Sequence, residues 1–219
     1  MNKSICISIF LILYSLTLSA QKISLHGGIN FANMDISGVD EGEFSTQTKS
    51  KVGGQMGMRI AFPVYKSLFI ETGLTASTKG YKIHESYNFF GYETEVNSRL
   101  NAYYLELPLN IKGVLNVGKI NIYGAFGPYF AMGIYGNYRT KSTFDGETEV
   151  LKGDVSWGTS ADDELKRPDG GINFGAGMEY KRLVVGIVYS HGLLNISNVG
   201  EIKNRVFSVT VGCKLGKME

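Results

Sequence analysis

A chain of 219 residues, 43% hydrophobic and 19% charged, is long enough for one domain with a sizeable buried interior. Its 22 Lys and Arg against 20 Asp and Glu leave a formal charge of +2, too close to balance for an electrostatic grip on nucleic acid. Its two cysteines, Cys6 and Cys213, support neither a disulfide framework nor a metal cluster.

The first element is a leader. MNKSICISIFLILYSLTLSA combines one basic residue, Lys3, with an apolar run from Ile5 to Leu16 and small residues ending in Ser19-Ala20. That pattern predicts a secretory signal peptide over 1–20, with cleavage before Gln21, and a single domain over 21–219. The apolar run falls short of the roughly 20 residues that a spanning helix needs. Cys6 leaves with this segment.

Eight alternating segments follow. They are 22–32, 51–62, 66–79, 101–113, 119–134, 171–181, 182–192 and 205–215. The fourth, NAYYLELPLNIKG, shows the pattern best: Tyr103, Leu105, Leu107, Leu109 and Ile111 make one set, and Tyr104, Glu106, Pro108, Asn110 and Lys112 the other. A period of two belongs to a β-strand, whose side chains point alternately to opposite faces. Each segment reaches the 9–11 or so residues with which a tilted strand crosses a bilayer.

The connections alternate strictly in length. Short links lie at 63–65, 114–118 and 181–182, and long polar ones at 33–50, 80–99, 135–170 and 193–204. In an up-and-down barrel this puts every short turn on one rim and every long loop on the other. The expected fold is therefore all-β: an eight-stranded antiparallel transmembrane barrel with short periplasmic turns and long extracellular loops.

Periodicity alone does not say which face is inside. The polar set carries His26, Asn30, Gln55, Arg59, Glu71, Thr75, Glu106, Lys112, Glu179, Ser208 and Lys214, interleaved with many of the chain's 28 glycines. About 15 glycines would be ordinary for this length. An eight-stranded lumen is just wide enough to be filled by side chains, and glycines opposite long charged ones suit that packing. Arg or Lys at mid-depth on the lipid face would cost about 2–4 kcal/mol, and the apolar set holds no charged residue. The expected lumenal charge network is Arg59, Glu71, Glu106, Lys112, Glu179 and Lys214. With the turn centred on Tyr65, Arg59 and Glu71 fall directly opposite each other as an ion pair.

Aromatics gather near both rims. Phe62, Tyr65 and Tyr180 lie toward the short turns, and Phe31, Tyr103, Phe130, Tyr135 and Tyr189 toward the long loops. Such girdles anchor barrels at the water–lipid boundaries. Pro108 and Pro128 fall inside central strands, where a missing N–H breaks the ladder. Each is expected to mark a bulge or an earlier strand end.

On these residues the chain resembles the PorT-like small outer-membrane β-barrel proteins of Bacteroidetes. The matching pieces are HGGINFANM, ETGLTASTKGYK, YYLELPLNIKG, YGAFGPYFAMG, INFGAGMEYKRLVVGIVYSHGLLNIS and NRVFSVTVGCKL. YLELPL followed by GPY is the most specific. The resemblance implies an outer-membrane, eight-stranded barrel and no defined activity, and the name-giving branch is linked to protein secretion across that membrane. It also implies a terminal aromatic residue, where this chain has Cys213-Lys214-Leu215.

The functional expectation is a non-enzymatic, monomeric integral outer-membrane protein, without cofactor, metal or catalytic residues. Its partners would be outer-membrane lipid and other envelope or secretion proteins, met through the loops or the periplasmic rim. A small solute channel is the alternative, disfavoured by a filled lumen. A lipid or peptide hydrolase ranks lower; it would need His84, His191, Ser190 and Asp154 to meet at the outer rim. The segments SYNFFGYETEV and ADDELKRPDG are expected to carry the most exposed chemistry.

Overall fold

The computed structural model describes residues 22–37, 48–89, 92–160, 162–198 and 200–215, with the side chains of 87–93 excepted. The expected signal peptide lies outside the described residues. All regular structure described is strand: β1 Lys22–Ser37, β2 Thr48–Lys49, β3 Lys51–Tyr65, β4 Leu68–Phe89, β5 Tyr92–Val117, β6 Ile120–Phe144, β7 Glu147–Asp154, β8 Pro168–Tyr180, β9 Leu183–Gly192 and β10 Glu201–Leu215.

Eight of these close a ring of antiparallel pairs in the order β4, β3, β1, β10, β9, β8, β6, β5 and back to β4. The seam between first and last strands runs from Ile23 opposite Leu215 to Ser37 opposite Glu201, so the ring closes without a terminal aromatic. Two short strands extend the wall at the long-loop end: β2 pairs with β4, and β7 with β6.

Three expectations about the connections need correction. The stretches 80–99 and 135–170 are largely strand, since β4 and β5 run on as one tall hairpin and β6 returns as β7. The turn between β6 and β7 is Asp145-Gly146, with φ of 47° and 82°. That is the Asp-Gly signature of a type I′ hairpin, placed between strands whose two faces are both wetted. The first short turn is Lys66-Ser67 rather than a turn centred on Tyr65, with the register shifting between Pro63 and Tyr65. Nor do Pro108 and Pro128 mark bulges or strand ends. The β5–β6 register is the same on both sides of them, Pro108 opposite Tyr129 and Ile111 opposite Phe126. The closed wall supplies enough other pairings to carry the lost N–H groups.

A bulge does occur nearby. Tyr103 faces Tyr135 while Tyr104 faces Gly133, so Ile134 is the extra residue on β6. Ile134 and Tyr135 both face outward, and beyond them the outward parity of β6 changes from even to odd.

The exterior is apolar and the interior polar. Leu107 is 50% and Ile111 58% exposed, whereas Glu71 on the other face is 3% and Lys112 7% exposed. An apolar surface continuous around a closed ring is what a bilayer covers. The apolar core proper is a plug at the long-loop mouth. There Val155, Leu165 and Ile196 pack on Met34, Tyr104 and Tyr129.

Candidate functional site

Inward parity on β3, β4, β5, β8 and β10 delivers one charge chain at the short-turn end. Lys112 Nζ sits 3.2 Å from Glu71 Oε2 and 2.9 Å from Glu179 Oε1. Lys214 closes the chain onto Glu179. Arg59 Nη1 lies 3.7 Å from Glu71 Oε1, but the two are not directly opposite. Ala61 faces Glu71 and Arg59 faces Gly73, a consequence of the turn lying at Lys66-Ser67. Glu71 is therefore held chiefly by Lys112. That ammonium also stands 4.2 Å from the centre of the Tyr123 ring, a cation–π contact.

Glycines make room for this arrangement. A Cβ on Gly186 would lie 2.2 Å, and one on Gly177 2.6 Å, from the Tyr123 hydroxyl. A cavity of about 140 Å³ opens below the chain at the short-turn end, lined in part by His26, Arg59, Glu71 and Lys214. Above it the interior narrows to a void of about 30 Å³ among Gln55, Asn110 and Asn173, room for about one water.

Glu106 belongs to a second cluster nearer the long loops, apart from Lys112. Lys79 Nζ lies 3.0 Å from Glu106 and 2.8 Å from Asp169, between the Tyr104 and Tyr129 rings at 4.9 and 4.6 Å. Asn204 Nδ2 donates to Asp169 Oδ2 at 3.0 Å. The sequence pattern does not mark Lys79 and Asp169, which lie at the edges of the long connections 80–99 and 135–170. Their parity was the available signal: Lys79 continues Glu71, Thr75 and Ser77, and Asp169 continues Gly171 and Asn173. Lys51 is also buried, its Nζ donating to the Lys79 carbonyl at 3.2 Å.

The segment ADDELKRPDG is not simply exposed, for Leu165 and Asp169 are buried in the plug and the lumen. Trp157 meets Tyr104 edge-on at 5.7 Å, and Arg167 Nη1 donates to the Gly133 carbonyl at 3.0 Å. Asp162 and Glu164 stay exposed, with half-buried Asp163 between them. The Asp163 carboxylate accepts the Ser156 hydroxyl at 2.7 Å and the Ser160 amide at 3.0 Å. These two bonds, the hydroxyl first, hold its pKa below the ordinary 3.8.

Seven of the eight girdle aromatics are exposed on the outer wall and Phe62 is half-buried. Tyr103 and Tyr135 stack at 5.8 Å. Phe31, Phe207, Tyr189, Phe174 and Phe126 are cross-strand neighbours in one row. Phe207, Phe174 and Phe126 join the rim aromatics only through strand register.

The residues of a hydrolytic site are not assembled. His84 on β4 and His191 on β9 stand on opposite sides of the ring. Ser190 points inward, His84 bonds Asn97, and Asp154 accepts the Tyr135 hydroxyl at 2.7 Å. Among the described residues no group of three metal-ligating side chains is present.

The fold resembles solved small outer-membrane barrels at low identity. Ail, the attachment invasion locus protein of Yersinia pestis, is 11% identical, with a TM-score of 0.34, over 90% of this chain and 100% of that one. Neisserial surface protein A is 9% identical, with a TM-score of 0.45, over the same shares. Such scores carry no functional argument. No curated protein matches. A family model described as outer membrane protein beta-barrel domain matches residues 19–198. With that match spanning most of the chain and an apolar wall closed around a polar lumen, the protein belongs to the outer membrane protein beta-barrel domain family and resides in the outer membrane.

Proposed function

We propose that this protein is a non-enzymatic, non-conducting barrel of the PorT-like group of Bacteroidetes. It acts by presenting its loops or periplasmic rim to another envelope component, such as one of a secretion system, after cleavage of a signal peptide over 1–20. The observation that carries this reading is the doubly blocked interior. The Arg59–Glu71–Lys112–Glu179–Lys214 chain fills one end, and the Lys79 cluster beneath the Leu165 plug fills the other. What remains available for function is surface. The charge network serves to fill and fix the lumen, and the eight rim aromatics serve as the girdle that holds the barrel at depth. YLELPL and GPY support placement in the PorT-like group.

Two measurements test the reading. In planar bilayers the purified protein is expected to give no stable conductance steps, and reproducible steps would favour the channel. Crosslinking in intact cells followed by pull-down is expected to recover an envelope protein. That capture should be lost when 86–96 or 161–170 is deleted, or when the periplasmic turns are altered. Recovery of nothing but lipid would remove the proposed protein partner.

A further inference from the structure

The outward continuation of the barrel wall carries a row of like charges. Lys49 on β2 lies opposite Lys82 on β4, and Lys82 opposite Arg99 on β5. Arg99 in turn lies opposite Arg139 on β6, and Arg139 opposite Lys152 on β7. Directly opposed residues share one face of a sheet. Five cations therefore stand side by side across five strands, about 19 Å end to end at the usual strand spacing. All five are exposed.

Like charges directly opposite destabilise a sheet, and elsewhere on the same rim this protein avoids them. On the β1–β10 side Arg205 is bonded to Asp35, and Lys203 reaches Glu201. Among the described residues none of the five row members forms an ion pair. Arg99 Nε donates to neutral Asn101 at 3.2 Å. The acids nearby on this face are engaged: Asp154 accepts the Tyr135 hydroxyl, and Glu95 sits beside His84 and Asn97.

The row lies on the lipid-facing side of the wall. Arg99 shares its parity on β5 with Leu105 and Leu107, and the Ile134 bulge turns Arg139 to the same face. Four residues inward along β5 and β6 stands the stacked pair Tyr103–Tyr135. At about 3.4 Å per residue and a tilt near 40°, the two arginines stand about 10 Å outside that pair. The headgroup layer extends roughly 5–8 Å beyond the hydrocarbon, and long cationic side chains bend back toward it.

We infer that this row is a docking strip for the phosphate groups of a phosphorylated glycolipid of the outer leaflet, whose acyl chains lie on the apolar wall below. Charge complementarity names the phosphates. Continuity with the Leu105, Leu107, Phe130 and Met132 surface names the lipid over a soluble polyanion, which would have no use for the apolar face.

The test uses the full chain in nanodiscs of uncharged phospholipid, titrated with diphosphoryl lipid A or with its dephosphorylated form. The expected result is tight, salt-sensitive binding of the diphosphoryl form alone. Lys82→Gln/Arg99→Gln/Arg139→Gln is expected to bind roughly a hundredfold more weakly, and Arg139→Gln alone about fivefold. The control Lys66→Gln/Lys203→Gln/Arg205→Gln is expected to bind as the native chain does. Migration of unheated samples as the compact form verifies folding, and the single variant carries the test where the triple one does not insert. Equal binding of the dephosphorylated glycolipid, or unchanged binding by the row variants, overturns the inference. A soluble sulfated oligosaccharide that binds the same row more tightly than the glycolipid overturns the choice of a lipid.

Discussion

Lys112 sits where two buried carboxylates need one cation. Replacing it with Met leaves Glu71 with only the distant Arg59, and Glu179 with only Lys214. Stranding a buried charge costs about 3–5 kcal/mol. Lys112→Met is therefore expected to lower the urea midpoint of the detergent-solubilised barrel far more than Arg59→Met, whose removal leaves Glu71 with Lys112 at 3.2 Å. Equal losses would make Arg59 the true partner. At the outer rim Asp163 is held ionised by Ser156 and Ser160, so its contribution is present above 3.8 and is lost as pH falls through its lowered value. Protection of the Ser160 amide against hydrogen exchange, taken relative to its intrinsic rate at each pH, should decrease below that value, and in Asp163→Asn it should be low at every pH.

Among the elements, β4 and β6 carry the most structural decisions. Inward-facing Gly73 lets β3 and β4 approach, since a Cβ there would lie 2.0 Å from the Met58 carbonyl oxygen and 2.9 Å from Arg59 Cα. Both contacts are backbone and have no rotamer to yield. Overpacking of this kind typically costs about 1–3 kcal/mol. Gly73→Ala is expected to lower the temperature at which the compact form is lost on gels, while Gly124→Ala, which meets nothing within 4 Å, is expected to leave it unchanged. The alternation of 101–113 announced β5 because one face meets lipid and the other the lumen. Beyond Tyr103 the phase inverts, with Leu100 and Ala102 turned to the plug and Arg99 and Asn101 outward, so the strand continues without the lipid-facing signature.

The whole molecule is a cylinder sealed twice, by charge at one end and by an apolar plug at the other. Leu165→Ala removes a side chain only 3% exposed, and buried Leu-to-Ala losses run about 2–5 kcal/mol. The loss is expected to loosen the plug alone, because the strand ladders do not pass through it. Proteolysis should speed up within 155–167 while the barrel remains heat-resistant. The doubled variant Leu165→Ala/Trp157→Ala should still show no conductance, since the Lys112 chain persists; steady conductance in it would make the plug the sole seal.

The sequence by itself determined the strand count of the ring, the long-loop and short-turn rims and the polar face that became the lumen. These follow from a period-two pattern and from connection lengths, which are local properties of the chain. It did not determine partners. Glu106 answers Lys79 and Asp169 rather than Lys112, Arg59 is offset from Glu71 by the turn at Lys66, and five separately unremarkable cations align in one row. Only tertiary structure decided these, because a single bulge or a one-residue turn shift moves every side chain beyond it to another face or neighbour.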